Sequence, residues 1–93
     1  MISAIVLIKV EVAHIPEAAQ AIAEIDGITE VYSVTGNVDL IAVARVARHE
    51  DFADVIADRL NKVQGVQETE THIAFRTYSA QDLEAAFSIG LDE

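Results

Sequence analysis

Apolar and polar positions alternate along residues 3–12. Ala4, Val6, Ile8, Val10 and Val12 fall on one side; Ser3, Ile5, Leu7, Lys9 and Glu11 fall on the other. A period of two marks a β-strand. One side is wholly apolar and the other is apolar in its middle, which predicts a central strand covered on both faces. Residues 38–47 repeat the pattern, with Val38, Leu40, Ala42, Ala44 and Val46 on one face and Ile41 and Val43 on the other. Residues 28–35 and 66–78 predict two further strands. The last places Thr69, Thr71, Ile73 and Phe75 on one side and Glu68, Glu70, His72 and Arg76 on the other, a more polar pattern that suits a sheet edge.

Between the strands the period becomes helical. Pro16 suits a first helical turn, Ala18, Ala21, Ile22 and Ile25 follow at helical spacing, and Asp26-Gly27 ends the run, with Gly27 able to close the C-terminus. Glu50 and Asp51 open a second helix, where acids favour the positive end of the dipole. Its buried stripe is Phe52, Val55, Ile56, Leu60 and Val63, and Gln64-Gly65 ends it. Ser79 and Asp82 are spaced as a capping box, and Leu83, Ala86 and Phe87 predict a short C-terminal helix ending near Gly90.

The order β-α-β-β-α-β predicts an α+β, ferredoxin-like sandwich over residues 1–78, with a C-terminal helix and tail over residues 79–93. In that fold the first and third strands are central, as their two apolar faces require. Two helices cover one face. The other is expected to carry Ile5, Leu7, Ile41, Val43, Ile73 and Phe75 and to be buried against a second sheet in a dimer. Between the second and third strands, Gly36 and Asn37 both tolerate positive φ and predict a tight hairpin. Asp39 then opens a very apolar strand, where a carboxylate is costly unless paired.

Composition sharpens this picture. The chain has 93 residues and is 52% hydrophobic, whereas a domain of this size buries only about 60–65% of its unfolded surface. The excess predicts self-association. A net charge of −10 argues against direct binding to nucleic acid or to an anionic membrane. Without cysteine, disulfides, thiolate metal sites and Cys nucleophiles are excluded. The apolar run at residues 4–8 is far short of a bilayer span, so a soluble, cytoplasmic protein is expected. His14, His49 and His72 share no ligand spacing, so no metal is expected. Asp51, Asp54 and Asp58 suit a solvated helix face, and Phe52, Phe75 and Phe87 suit core or interface.

The stretches Gly27-Ile28-x-x-Val31-Tyr32-Ser33-Val34-Thr35-Gly36-x-x-Asp39-Leu40 and Gly65-Val66-x-x-Thr69-x-Thr71 resemble the ligand-binding domain of Lrp/AsnC-type transcription regulators. The resemblance extends over residues 1 to about 78. That family usually carries a helix-turn-helix ahead of this domain; here the first strand starts at Ser3, so a stand-alone ligand-binding domain is expected. The family's turn usually has an acid after its glycine, often followed by an aromatic, where this chain has Asn37 and Val38.

The resemblance implies a sheet-to-sheet homodimer that assembles into rings, commonly an octamer, and an effector, usually an amino acid, bound between dimers near the turn. Carried over, the site would be Gly36, Asn37, Val38 and Asp39, with Thr69 and Thr71 as additions. Backbone N–H groups near Gly36 can meet a carboxylate, Asp39 an ammonium, and the threonine hydroxyls either partner. Each position also has a plainer use: a hairpin turn at Gly36-Asn37, a turn-capping carboxylate at Asp39, and β-forming residues at Thr69 and Thr71.

The function expected is therefore a non-catalytic, cofactor-free effector-binding module that modulates transcription through assembly, in partnership with a full-length Lrp/AsnC relative. The alternative is a small dimeric ferredoxin-like enzyme, such as a cofactor-free monooxygenase or isomerase. Such an enzyme needs a polar pocket between sheet and helices, whereas the helix-facing positions of the two central strands are Ala, Val, Ile and Leu. A third possibility is a purely structural oligomerisation domain.

Overall fold

The computed structural model describes residues 1–78 and 80; the C-terminal helix expected from Ser79 onward lies outside the described residues. The elements are β1 (Ile2–Val10), α1 (Ile15–Ala23), β2 (Ile28–Ser33), β3 (Leu40–Val46), a second helical segment α2 over residues 51–62, and β4 (Val66–Ile73). The four strands form one antiparallel sheet in the order β2-β3-β1-β4. The two strands with apolar residues on both faces are the central ones, as expected.

One face of the sheet is the core. Ala4, Val6, Ile8 and Val10 of β1 and Leu40, Ala42, Ala44 and Val46 of β3 are buried, against Ala18 and Ile22 of α1 and Phe52, Val55, Ile56 and Leu60 of α2. α1 lies over β2 and β3, and the last turn of α2 meets β4. Every buried side chain among the described residues is apolar. Fully burying one aliphatic side chain contributes about 1.5–3 kcal/mol, so this layer dominates the stability of the fold.

The opposite face has no cover among the described residues. Ile5, Leu7, Ile41 and Val43 form its apolar centre, with Ile5 43% exposed. Glu30 and Tyr32 flank it on β2, and Glu70 and His72 on β4, since these pairs sit in register beside Val43, Ile41, Leu7 and Ile5. The Tyr32 hydroxyl donates to the Glu30 carboxylate. That hydrogen bond, reinforced by the negative charge, raises the hydroxyl's pKa.

Several elements depart from the pattern along the chain. β1 stops at Val10, and Val12, expected on the buried face, is 80% exposed. The register shifts between Lys9 and Val10, and the Glu11 N–H donates to the Gly65 carbonyl at 2.8 Å. A 3-10 turn at Val12–His14 then carries the chain away from the sheet. β4 stops at Ile73 rather than at residue 78. Its register sets Ile73 opposite Ala4 and Thr71 opposite Val6, so Ile73 faces the helices and packs on the core, not the open face. Phe75 lies past the strand end, fully exposed. In α1, Ala18 and Ile22 point inward but Ala21 is exposed.

α2 is wound as a π-helix over Ala53–Arg59 and closes with a 3-10 turn, Leu60–Lys62. The wider i→i+5 winding still turns Val55, Ile56 and Leu60 inward. Asp54 and Asp58 are exposed, as a solvated face requires, while Asp51 accepts from the Arg48 N–H at 3.3 Å and pairs with its guanidinium at 3.6 Å.

Gly65 joins α2 to β4 at φ +95°, and a Cβ there would lie 2.7 Å from the Cβ of His14. Both the left-handed backbone and the close approach exclude a side chain. Gly65→Ala is expected to lower stability by roughly 2–4 kcal/mol, measured by denaturant unfolding.

Candidate functional site

The segment between β2 and β3 is where the sequence places a binding role. β2 ends at Ser33 and β3 begins at Leu40, so the connection is longer than the two-residue hairpin that Gly36-Asn37 suggested. The Val34 N–H donates to the Asp39 carbonyl at 3.0 Å and closes a loop of Thr35, Gly36, Asn37 and Val38. Of these only Gly36 has positive φ, at +114°, with nothing within 4 Å of where its Cβ would be. Asn37 does not use its tolerance of the left-handed region. A type I′ turn needs positive φ at both central residues, and the closure by Val34 and Asp39 replaces it.

Asp39 holds this loop to β1. Its backbone N–H donates to the Ile8 carbonyl at 3.0 Å. Its carboxylate Oδ2 accepts from the Val10 N–H at 2.9 Å, an amide two residues past Ile8–Leu40, where the β1–β3 ladder ends. The carboxylate thus caps the end of β1 rather than its own turn. This answers why a charge stands at the head of an apolar strand, and it leaves the second oxygen for other partners. Gly36 and Asn37 are exposed, and Val38 and Asp39 half-buried. The loop therefore offers a solvent-facing glycine backbone beside a fixed carboxylate.

The two threonines are not part of this loop. Ile8 stands opposite both Leu40 and Thr69, so β1 separates Thr69 from the loop by two strand spacings, about 10 Å. Thr69 lies on the helix side and donates from its hydroxyl to the Asn61 Oδ1 at 2.8 Å, joining β4 to the end of α2. Thr71 is two residues farther along β4 and exposed. Asn61 and the Val10 amide are the partners that pattern reading missed. Asn61 lies outside the buried stripe of its helix, side-chain periodicity says nothing of the Val10 backbone amide, and each is found only once the strands are in register. No group of three or more His, Asp or Glu side chains among the described residues could hold a metal ion. None of the described helices is long and apolar enough to cross a membrane.

The Lrp/AsnC ligand binding domain family matches residues 3–83. This chain belongs to that family. The crystal structure of TTHA0845 from Thermus thermophilus superposes on it with a TM-score of 0.81 at 42% identity, covering 85% of this chain and 99% of that one. A feast or famine regulatory protein of M. tuberculosis, solved in complex with L-methionine, superposes with a TM-score of 0.70 at 25% identity, covering 87% of this chain and 55% of that one. An uncharacterized HTH-type transcriptional regulator of Pyrococcus horikoshii is 36% identical over 61 residues, which are 66% of this chain and 41% of the regulator. The chain spans 41% to 50% of the length of the curated relatives it matches. As an Lrp/AsnC ligand-binding domain it has the family's βαββαβ sandwich, with the loop around Gly36 at one end of the sheet.

Removing the Asp39 carboxylate leaves the Val10 N–H without its partner. A hydrogen bond to a charged group contributes about 1.5–3 kcal/mol, and Asp39→Ala is expected to lose roughly that much stability. Asp39→Asn keeps an acceptor oxygen and should lose about half as much or less. Thermal and denaturant unfolding of the two variants side by side measures the difference.

Proposed function

We propose that this Lrp/AsnC ligand-binding domain is a non-catalytic effector-binding module that senses an amino acid or a related small metabolite and modulates transcription through assembly. The observation that carries this is the family match across residues 3–83. A relative in the family is solved with L-methionine, which supports an amino acid as the effector class. The all-apolar layer between sheet and helices favours binding over catalysis, because general acid–base work needs a titratable group in a pocket.

The effector site is the loop of Gly36, Asn37 and Val38 with Asp39 beneath it. Open space around Gly36 lets a carboxylate approach the backbone closely, and the free oxygen of Asp39 faces the ammonium. Thr69 is held by Asn61, so it contributes by fixing β4 to α2. The homodimer forms through the open sheet face. Ile5, Leu7, Ile41 and Val43 are the surface that water would otherwise cover, and a second copy buries them sheet on sheet. Dimers then assemble into a ring, an octamer in the family's usual form, which brings loops of neighbouring dimers together. DNA contact falls to a full-length Lrp/AsnC relative, since a net charge of −10 repels the phosphate backbone.

Two measurements test this. A thermal-shift screen of the proteinogenic amino acids, followed by calorimetric titration of those that respond, should find at least one that raises the melting temperature. Gly36→Ala, which crowds the loop without touching the core, should weaken that ligand about tenfold or more. A uniformly silent screen overturns the effector role. For the dimer, Leu7→Asp places a carboxylate in the centre of the open face and should give monomers by light scattering. A Leu7→Asp protein that remains a stable native dimer overturns the sheet interface.

A further inference from the structure

The end of the sheet away from the Gly36 loop holds a groove of about 380 Å³, between the start of β1, the loop carrying His49, and residues 73–77 as they leave β4. Its apolar lining includes Ile2 and Ile73, which pack on the core, and the fully exposed Phe75. Its polar lining residues are Ser3, His49, Arg76 and Thr77, with the N-terminal Met1 beside them. The Ala74 N–H donates to the Ser3 carbonyl at 2.9 Å, which fixes the two long walls to each other. His49 is held edge-on against the buried Phe52, with ring centroids 5.9 Å apart at 89°.

The charge of this groove sets it apart. The chain has 16 acids against 6 Lys and Arg, yet none of the described acids lines the groove. Arg76 makes no ion pair with any described residue, whereas Arg48, close to His49 in sequence, is paired with Asp51. His49 likewise has no polar side-chain partner among the described residues. A guanidinium with no ion pair among the described residues, an imidazole and hydroxyls beside apolar side chains suit one ligand chemistry: a carboxylate on an apolar body. Arginine presents a planar fork that a carboxylate can meet with two parallel hydrogen bonds. An ammonium on the same ligand would meet no acid among the described residues and would lose hydration without compensation.

We propose that this groove binds small organic carboxylates that lack an ammonium group, such as branched-chain oxo acids. It lies six to eight residues along β1 from the Gly36 loop, roughly 20–25 Å at strand spacing. It is thus a second site, independent of the amino-acid role of the loop.

Amide-resolved NMR of the full chain tests it, with α-ketoisocaproate as the probe, leucine as the same carbon skeleton bearing an ammonium, and inorganic phosphate as an anion without an apolar body. The oxo acid should shift the amides of Ser3, His49, Ala74 and Arg76. Arg76→Gln should weaken that response about tenfold or more while the melting temperature stays unchanged. Oxo-acid shifts that are absent, or confined to residues 34–39, overturn the proposal. So does leucine or phosphate occupying the groove as tightly as the oxo acid, or an undiminished response in Arg76→Gln. Should leucine and every other amino acid fail at the loop while the oxo acid still fills the groove, the effector role of the loop falls and this site stands.

Discussion

Asp39 is where three parts of the chain are tied together. Its carbonyl receives the Val34 N–H from the end of β2, its N–H reaches the Ile8 carbonyl of β1, and its carboxylate takes the Val10 N–H just past the end of the β1–β3 ladder. Past Ile8 and Leu40, the last pair of the β1–β3 ladder, the Val10 amide has no strand partner, and an unpaired amide away from water is expensive. The carboxylate removes that penalty and anchors the loop at the same time. The end of β1, the start of β3 and the exposed backbone at Gly36 therefore share one dependence. A residue that first reads as a charge in the wrong place is what allows the loop to be both open to solvent and fixed.

The two faces of the sheet differ in what they can do. The buried layer on the helix-covered face is apolar throughout the described residues, so it supplies stability. The open face keeps an apolar centre between the Glu30–Tyr32 pair on one flank and the Glu70–His72 pair, 2.7 Å apart, on the other. A surface with an apolar middle and a polar rim is the anatomy of a protein interface. The polar pairs bond within their own strands and lie outside the apolar centre. In the function proposed above, stability, assembly and ligand contact fall to three separate surfaces of one small fold.

The two ends of the sheet differ in sign. At the loop end, Asp39 adds negative charge beside glycine backbone, an arrangement that suits a zwitterion. At the other end, Arg76 and His49 stand over Ile2 and Ile73 without acid partners among the described residues, an arrangement that suits an anion with an apolar body. The strongly negative chain as a whole repels anions at long range, so recognition at the groove must be short-range and geometric. The Ala74–Ser3 hydrogen bond and the His49–Phe52 contact supply that fixed geometry.

Much of this was legible from the chain itself. The period-two runs in β1 and β3, with apolar residues on both sides, determined that these strands are central and which of their faces meets the helices. The Asp26-Gly27 and Gln64-Gly65 breaks and the stripes at Ala18–Ile22 and Phe52–Leu60 determined the helices between them. Tertiary structure decided the rest, because it depends on which residues stand opposite one another. An edge strand with mixed residues, such as β4, has no face of its own until it pairs, and its register with β1 turned Ile73 toward the helices and left Phe75 beyond the sheet. The loop length around Gly36 followed from the closure between Val34 and Asp39, not from the turn residues. The partner of the Asp39 carboxylate, 29 residues away at Val10, is open to it because the β1–β3 ladder ends at Ile8 and Leu40. Likewise Ser3, His49 and Arg76, from three separate segments, become one groove only when β1 and β4 lie side by side.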